Sequence, residues 1–475
     1  MVNHRSFEKE IRSYPRTFDP KSLYEETVMR TNLKFVVLDD DPTGVQTVHG
    51  IHVYTDWTYE SMKEAFQEPE SLFFILTNSR GMTEEETTRI HHEIIDVISK
   101  VSAETYTPYL YISRSDSTLR GHFPLETEIL KEGLLRNYAH VDGEILYPFF
   151  PEGGRYTVDN IHFVKYGDDL VPCAETEFAK DAAFGFSSSS LPEYIEEKTA
   201  GKFKAEDVTC ISLEDLRSGN IEHIYGQLMS VRDFGKVIVN SLDYDDVKTF
   251  CIALFKALHD DKVFVFRTAA GFVKCAGGIP DKHLLTREEM IHEESSNGGI
   301  VAVGSHTAKT TAQLEELLKL KNTQEIAFRS SAVLESDEVL EQEIMRCIHE
   351  AENVIRDGKT AVCYTERTLL SFPGDTKEEA LVRSVKISAA LQRIVRDLHV
   401  KPAFVVAKGG ITSSDIGVKA LHVKKALVLG QIRPGIPVWK TDDQSRFPGI
   451  PYIIFPGNVG ENTTLREAVE ILTGK

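Results

Sequence analysis

Residues 35–50 read FVVLDDDPTGVQTVHG. The apolar run Phe35–Leu38 predicts a buried strand, three carboxylates follow it at once, and Pro42 and Gly44 turn the chain. A parallel strand that ends in Asp39–Asp41 places negative charge at the carboxyl edge of a sheet, where open α/β folds bind ligands. These carboxylates could hold Mg²⁺, accept a proton from a substrate hydroxyl or hydrogen-bond a polyol. The alternative is a solvated acidic turn, but three carboxylates directly after a strand favour a site.

The composition is that of a globular protein with more than one domain. The chain has 475 residues, so two or three domains with full cores are expected. A formal net charge of −19 without a basic stripe argues against a nucleic-acid partner. The six cysteines form no CxxC pair, which gives no sign of a zinc knuckle or redox dithiol and fits a reducing cytosol. The polar N-terminus lacks a signal core and no apolar run has the length of a membrane span, so we expect a cytoplasmic protein without a membrane partner.

Short β-branched or aromatic runs alternate with polar or glycine-rich clusters and helical stretches along the chain. This alternation predicts an α/β fold with two domains, each a mostly parallel sheet flanked by helices. Glycine, proline and serine clusters at residues 276–299 indicate a boundary, which divides the chain into domains at residues 1–290 and 291–475. Residues 166–202 interrupt the alternation and are predicted to be a long irregular insertion that could act as a lid.

The C-terminal half contains three glycine-bearing loops, each between a strand and a helix. They lie at residues 304–307, 408–415 and 456–460. Glycine lets the backbone approach a phosphate, and a helix N-terminus offers free N–H groups. A single glycine could simply end a strand, but three such loops in one domain favour a nucleotide site. None of the three loops is a Walker A motif, and the absence of a Gly-x-Gly-x-x-Gly fingerprint disfavours a dinucleotide enzyme.

The N-terminal half collects hydroxyl, carboxylate and guanidinium groups at predicted strand ends: Asp39, Asp40, Asp41, Asn78, Arg80, Arg114, Ser115, Asp116, Ser117, Arg120 and Arg155. Such a set suits a small hydroxy acid, because an arginine can bind its carboxylate bidentately and an aspartate can accept a hydroxyl proton. A surface ion pair is the alternative for any single arginine, although Arg80 and Arg114 both follow strands. No histidines have metal-ligand spacing, and His91 and His92 are expected on a solvated helix face.

These motifs resemble those of the four-carbon acid sugar kinases, which include threonate, erythronate and 3-oxotetronate kinases. The resemblance covers nearly the whole chain, and its most specific part is the Asp-Ser-Thr-Leu-Arg-Gly signature at residues 116–121. The other matching segments are the Asp-Asp-x-Thr-Gly element at 40–44, the loop at 78–80, the Glu-Thr-x-Phe-Ala-x-Asp insertion at 175–181, and the glycine loops at 304–313, 409–413 and 457–460. Two positions depart from the family pattern, since many members carry an acidic residue in place of Ile411 and a phenylalanine in place of Val459.

The resemblance implies an N-terminal acid-sugar domain, a C-terminal ATP domain and an active site in the cleft between them. ATP and Mg²⁺ are the implied cofactors, a sugar acid is the implied substrate, and enzymes of this kind suggest a homodimer. The resemblance does not identify the metal ligands, and it does not determine how Ile411 affects a nucleotide or metal contact. The nucleotide contacts implied by the matching loops are Ser305, Gly409, Gly410, Ile411, Thr412 and Gly457.

The substrate contacts are expected at Asp40, Asp41, Asn78, Arg80, Arg114, Ser115, Asp116 and Ser117. Asp116 is the predicted catalytic base, because neighbouring cations, Arg114 and Arg120, would keep it ionised. Asp41 is expected to support catalysis by gripping substrate hydroxyls. Two other hypotheses remain: a non-catalytic sensor that binds nucleotide and acid sugar, and a hydroxy-acid dehydrogenase, which the missing fingerprint disfavours.

Overall fold

The buried strand predicted at residues 35–38 is present and extends over Lys34–Asp39. The computed structural model describes residues 4–29, 33–292, 295–367, 370, 372, 377–457 and 459–474. Its strands, in chain order, are β1 Arg5–Ser6, β2 Lys34–Asp39, β3 His52–Tyr54, β4 Leu72–Leu76, β5 Tyr109–Arg114, β6 Gly143–Tyr147, β7 Arg155–Val158, β8 Ile161–Tyr166, β9 Asp169–Pro172, β10 Thr209–Ile211, β11 Gly235–Val239, β12 Phe264–Thr268, β13 Ile300–Val303, β14 Thr323–Phe328, β15 Thr360–Thr365, β16 Val405–Lys408, β17 Lys425–Arg433, β18 Ile436–Thr441 and β19 Pro451–Phe455.

Helices separate most of these strands, as the alternating pattern predicts. They are α1 Phe7–Ser13, α2 Lys21–Met29, α3 Tyr59–Gln67, α4 Glu84–Thr105, α5 Leu125–Leu134, α6 Leu191–Lys198, α7 Leu213–Ser218, α8 Ile221–Ser230, α9 Tyr244–His259, α10 Ala270–Ala276, α11 Arg287–Met290, α12 Ala308–Leu317, α13 Asp337–Arg356, α14 Lys377–Arg396, α15 Gly410–Asp415 and α16 Thr464–Thr473. None of the described helices is long and apolar enough to cross a membrane.

The chain divides into two units. The first contains residues 1–44 and 56–281, and the second contains residues 45–55 and 282–475. The last passage between the units thus follows residue 281, close to the predicted boundary after residue 290, and a short excursion near residue 50 belongs with the C-terminal part. The fold is α/β with two domains and mostly parallel sheets flanked by helices.

The first unit is built on parallel strands in the order β10-β11-β6-β12-β5-β2-β4. Residues on both faces of its central strands are buried, which explains why β2, β4 and β5 read as continuous apolar runs rather than alternating ones. Helix α4 begins with the capping box of Thr83 and Glu86 that the sequence predicts.

The segment at residues 166–202 is more ordered than predicted. It contains β9, which joins a small antiparallel sheet in the order β1-β9-β8-β7, and helix α6. Its apolar side chains, among them Cys173, Leu191 and Tyr194, are buried in one cluster with Leu119 and Phe123. The expectation of an irregular insertion is therefore wrong, because the segment forms a strand and a helix and packs its apolar side chains into a core shared with neighbouring parts of the unit.

The second unit orders its strands β3-β17-β18-β19-β16-β13-β15-β14. The pairs from β19 to β14 are parallel, whereas β3, β17, β18 and β19 pair antiparallel. A core that includes Val301, Val406 and Ile453 lies between this sheet and helices such as α12 and α16. The parallel part carries the three predicted glycine loops at the carboxyl ends of its strands.

Candidate active site

In the first unit, polar residues meet at the carboxyl ends of β4, β2 and β5. Strand β2 lies between the other two, and Asp39 at its end is in register with Leu76 and Arg114. Asn78 and Arg80 follow β4, and the loop that carries Asp116 follows β5. The structure thus brings the predicted substrate residues to one edge of one sheet.

Arg114 lies behind this edge and does not face solvent. Its guanidinium donates a hydrogen bond from Nη1 to Asp39 Oδ1 at 3.2 Å, and only 4% of its side chain is exposed. Gly44 packs closely against the same carboxylate, because a Cβ at this position would lie 1.8 Å from Asp39 Oδ2. The expectation that Arg114 grips a substrate is therefore not supported by its position, and its contacts indicate a role in fixing Asp39.

Arg80 holds the other two carboxylates of the triplet. Its Nε and Nη2 donate to the two oxygens of Asp40 at 3.0 and 2.5 Å, and its Nη1 donates to Asp41 at 3.3 Å. The backbone N–H and hydroxyl of Thr43 both donate to Asp41 Oδ1, at 2.8 and 2.5 Å. Arg80 therefore bridges Asp40 and Asp41, and these carboxylates occupy the guanidinium donors that a ligand would need.

The pKa values of the three adjacent aspartates are shifted in different directions. Burial raises the pKa of Asp39 to about 8 although Arg114 opposes it, and burial also raises the pKa of Asp40 against the attraction of Arg80. Burial acts on Asp41 in the same direction, but Arg80 and the hydrogen bonds from Thr43 outweigh it and lower its pKa. Asp41, whose side chain is 19% exposed, is thus the triplet member that presents a negative charge to solvent.

Asp116 is a second partly exposed carboxylate, with 11% of its side chain accessible. Its Oδ2 accepts hydrogen bonds from Arg120 Nε at 2.6 Å and from the Thr118 hydroxyl. Burial would raise its pKa, but the positive charges of Arg80 and Arg120 outweigh burial and lower it. The predicted ionised state is thus produced by Arg80 and Arg120, while Arg114, the other expected neighbour, is bound to Asp39.

Buried groups under this edge hold its loops. Glu126 on α5 accepts hydrogen bonds from Ser79 at 2.6 Å and Ser113 at 3.1 Å, and it lies 3.5 Å from Arg267. The Ser115 hydroxyl accepts a hydrogen bond from Arg267 at 2.8 Å. Ser115 and Ser117 are both buried, so their positions favour support over substrate contact.

Sequence reasoning did not assign Glu126 or Arg267 to the site. Glu126 lies within a helix and carries no local motif, whereas Arg267 stands in β12 beside β5, a position that could have pointed to it. The expectation for His91 was wrong: the residue is 1% exposed, and its Nδ1 is 2.8 Å from the carbonyl of Thr87. Its Nε2 lies 3.9 Å from Glu126, so His91 faces the support cluster.

Asn78 lies in the loop after β4 and has the left-handed conformation, with φ of 57°. This geometry is unusual for a residue other than glycine, although asparagine tolerates it best. No hydrogen bond of its side-chain amide is formed within the described part of the chain, and the residue is half-buried. The amide is therefore available to a polar ligand.

In the second unit the glycine loops surround one cavity of about 700 Å³. All six predicted nucleotide residues line it: Ser305, Gly409, Gly410, Ile411, Thr412 and Gly457. Gly409 has φ of +114°, a conformation that L side chains rarely adopt, and a Cβ at Gly304 would lie 2.5 Å from the Thr412 hydroxyl. Gly409 is thus required by its backbone conformation, and Gly304 by the close approach of these loops. Asn458 of the third predicted loop lies outside the described residues.

Three side chains tie the cavity loops together. Lys408 donates to the carbonyls of Pro456 at 2.6 Å and Gly457 at 3.0 Å, and burial lowers its pKa to about 7. Gln313 donates to the carbonyls of Val459 and Glu461. Arg367 donates to the carbonyl of Ser305 at 2.6 Å. Lys408 and Arg367 were not anticipated, and the only sequence signal for Lys408 is its place directly before Gly409.

Comparison with known proteins agrees with this division. A family model described as a Sugar-binding N-terminal domain matches residues 35–276, and one described as a Nucleotide-binding C-terminal domain matches residues 300–465. No protein of curated function matches the chain. Fold and site therefore define a two-domain protein in which a sugar-binding domain precedes a nucleotide-binding domain.

Solved structures share the fold at low sequence identity. A Salmonella typhimurium LT2 protein, provisionally described as a tRNA synthase, is 15% identical with a TM-score of 0.67, over 92% of this chain and 98% of that chain. Haemophilus influenzae protein HI1011 is 17% identical with a TM-score of 0.60, over 92% of this chain and 100% of that chain. With the two domain matches, the conclusion is that the chain belongs to the four-carbon acid sugar kinase family.

Proposed function

We propose that this protein transfers a phosphoryl group from ATP to a hydroxyl of a four-carbon sugar acid of the threonate, erythronate or 3-oxotetronate type, or of a close hydroxy acid. One observation carries the proposal: the six predicted nucleotide residues line a single cavity, while carboxylates and guanidinium groups meet at a single sheet edge of the sugar-binding unit. A kinase needs both kinds of site, one for each substrate.

The cavity suits ATP in size and chemistry. Its volume falls within the range of roughly 300–1,000 Å³ that is usual for small-molecule sites. Glycine backbone and hydroxyl groups from the loops can approach phosphates, and apolar side chains such as Leu370, Val385 and Ile387 can contact a base. Helix α12 begins at this cavity with Thr307 as its N-cap.

The same cavity offers ligands that fit Mg²⁺. Among its described lining residues, Asp415 supplies a carboxylate, and Ser305 and Thr307 supply hydroxyls. Proteins commonly hold Mg²⁺ through one or two carboxylates, with waters and substrate phosphates completing the shell. When bound, the ion would neutralise charge on the phosphates. Ile411, which is 77% exposed, adds no ligand where many family members have an acid.

The carboxylates of the sugar-binding unit take different roles in the proposal. Asp116 is ionised, partly exposed and held by Arg120, so it orients the acceptor hydroxyl and takes its proton as transfer proceeds. Asp41 is also ionised and partly exposed, and it binds a second hydroxyl of the acid. Phosphoryl transfer through a loose transition state demands mainly such positioning.

The test is an ADP-release assay of the purified protein with ATP, Mg²⁺ and a panel of threonates, erythronates and 3-oxotetronates. We expect turnover with at least one acid and phosphorus NMR evidence of a phosphorylated product. Tight calorimetric binding of both ligands without ADP release would instead identify a sensor. Absence of turnover with every acid, in folded protein, would reject the proposed substrate class.

A further inference from the structure

The arginines at the sheet edge of the sugar-binding unit differ in whether a carboxylate already neutralises them. Arg80 is paired with Asp40, Arg114 with Asp39, Arg120 with Asp116, and Arg267 with Glu126, at N–O distances of 2.5, 3.2, 2.6 and 3.5 Å. Arg155, the first residue of β7, forms no ion pair within the part of the chain that the structure describes, and its Nε is buried without a hydrogen-bond partner.

The surroundings hold the guanidinium of Arg155 in place without neutralising it. Its Cζ lies 5.5 Å from the centroid of the Phe178 ring, and the Cζ of Arg120 lies 5.1 Å from the same centroid. A Cβ at Gly153 would lie 3.2 Å from Arg155 Nη1, so the preceding turn also packs against this group. A cation–π contact orients a cation but supplies no counter-charge.

The same region is anchored to the loop that carries Asp116. His162 Nε2 lies 2.8 Å from the carbonyl of Ser117, and Tyr194 donates to the carbonyl of Leu119 at 2.8 Å. Arg120 connects the two parts, since it bonds to Asp116 and stacks on Phe178. Arg155 is thus a cation beside the hydroxyl-orienting carboxylate, and it packs against Phe178, which itself packs on the buried cluster of this region.

Electrostatics agree with this geometry. Burial lowers the pKa of Arg155, and the charge of Asp116 opposes burial only in part. Burial acts on Arg80 in the same direction, but Asp40 and Asp41 outweigh it and raise the pKa of Arg80. A partly desolvated cation without a counter-ion is costly to the folded protein, and an anionic ligand would remove that cost.

We propose that Arg155 is the residue that binds the carboxylate of the acid substrate, with Phe178 as the wall that orients it. The identity of the acid rests on the proposed function, whereas the presence of a carboxylate follows from the unpaired guanidinium, whose planar fork suits that group. The site therefore selects acids over neutral polyols of the same length. Arg80 and Arg114, which sequence reasoning favoured for this role, are occupied by aspartates.

Calorimetry on the full-length protein tests the assignment with two sets of probes. The acids are threonate, erythronate, 3-oxotetronate, glycerate and malate, and the neutral probes are threitol and erythritol. We expect Arg155→Met to weaken binding of the acids at least ~30-fold, as the loss of one partner of a charge pair does, and to leave the weaker polyol binding unchanged. Arg155→Lys should restore part of the acid affinity, and methylguanidinium should restore part of it to Arg155→Ala.

A matched control is Arg136→Met, which removes an exposed arginine paired with Asp96 in the same unit and should change neither affinity. Thermal unfolding provides an independent measurement: without ligand, Arg155→Met should melt at or above the wild-type temperature, because it removes an unpaired charge. A lower melting temperature with equal loss of acid and polyol binding would show a structural role and overturn the proposal.

The remaining outcomes separate this inference from the proposed function. Unchanged acid affinity in Arg155→Met would overturn the assignment and leave the kinase proposal standing. Acid binding that depends on Arg155, without any ADP release, would support the assignment and reject kinase activity. Failure of the wild-type protein to bind any of the acids would overturn both.

Discussion

Asp116 and Asp40 are carboxylates of the same sheet edge, yet their contacts suit them to different tasks. Asp40 is 3% exposed and held on both oxygens by Arg80. Arg120 and Thr118 both bind Oδ2 of Asp116, and neither of them contacts Oδ1. A substrate hydroxyl could therefore approach Asp116 without displacing a protein partner.

The first prediction concerns Asp116→Asn. We expect kcat to fall at least ~10²-fold, the lower range for loss of general-base help, with little change in the KM for ATP. Because Arg80 and Arg120 lower the pKa of Asp116, it stays ionised from neutral to mildly acidic pH, and the residual rate should not recover at higher pH. Steady-state kinetics over a pH series measures both effects.

Asp41→Asn is the comparison variant for this prediction. It should raise the KM for the acid first, because Asp41 is expected to bind a hydroxyl that does not react. If Asp116→Asn retained nearly wild-type kcat while Asp41→Asn abolished activity, the two roles would be reversed.

The second prediction concerns His162, which contacts the Asp116 loop. Burial lowers the pKa of His162 from 6.5 to about 4, so the folded protein binds fewer protons than the unfolded chain between these values. The free energy of unfolding should therefore fall as pH drops from 6.5 towards 4. His162→Gln cannot take up this proton, and its denaturation midpoint should depend less on pH in that window. Equal slopes for both proteins in urea titrations would contradict the assignment.

At the scale of the elements, the second unit places three loops around one cavity by repeating one arrangement, a parallel strand followed by a glycine loop and a helix. The loops meet because parallel strands end at the same edge of a sheet. Lys408 and Gln313 then join loops that are far apart in sequence.

Gly409→Val tests this arrangement. The added side chain would enter the space between Gly409 and Ser305, where a Cβ already lies 3.4 Å from the Ser305 Cβ, and we expect ATP affinity to fall at least ~10-fold. Gly449→Val is the matched control, since Gly449 also has positive φ, at +72°, but a Cβ there meets nothing within 4 Å. Calorimetry with ATP should show normal affinity for the control. Equal losses in both variants would mean that backbone strain, and not the cavity, is responsible.

The sequence allowed the parallel parts of both sheets to be predicted, because buried parallel strands such as β2 and β13 are short continuous apolar runs. It did not lead us to the antiparallel hairpin of β17 and β18. Every second residue of β17 is buried, including Ala426, Val428 and Ile432, but Leu427 and Leu429 are apolar as well and obscure the alternation. Which face of this strand is buried is therefore decided by its pairing in the folded sheet and cannot be read from the local sequence pattern.

Prediction of the candidate site from the sequence meets the same limit, since local patterns do not show which segments meet in the fold. Motif spacing led to Asp41, Asp116 and the cavity glycines, since each follows a recognisable strand. It favoured Arg80 and Arg114 over Arg155 because both follow strands, but the three arginines differ in which carboxylates reach them in the fold, and the sequence does not reveal that difference. Pairing of charges across distant segments is a property of the folded chain and has no local signature.

At the scale of the whole molecule, the two units are not two consecutive pieces of sequence. The chain passes from the first unit to the second at residues 44 and 45, returns at 55 and 56, and passes again at 281 and 282. Residues 45–55 supply β3, which pairs antiparallel with β17 through Tyr54, Val53 and His52. The match to the nucleotide-binding domain begins at residue 300, so it omits a strand that its own sheet uses.

This topology predicts that residues 282–475 alone are an incomplete unit. Without β3, the edge of β17 would expose unpaired backbone groups, and the apolar contacts of Val48, Ile51 and Val53, each at most 3% exposed in the full chain, would be lost. Such an edge invites association with other chains. The fragment should therefore form oligomers or aggregates in analytical ultracentrifugation.

A synthetic peptide of residues 45–55 should reverse this behaviour, because it restores the pairing of β3 with β17 and the hydrogen bond from the Gly50 N–H to the carbonyl of Val428. A peptide carrying Val53→Lys is the matched control, since it keeps the backbone but places a charge at a buried position. This control peptide should not prevent the fragment from associating. A fragment that is monomeric and binds ATP without the peptide would show that the excursion is dispensable. Rescue by the first peptide alone would show that the nucleotide-binding unit is completed by a strand encoded within the sugar-binding half.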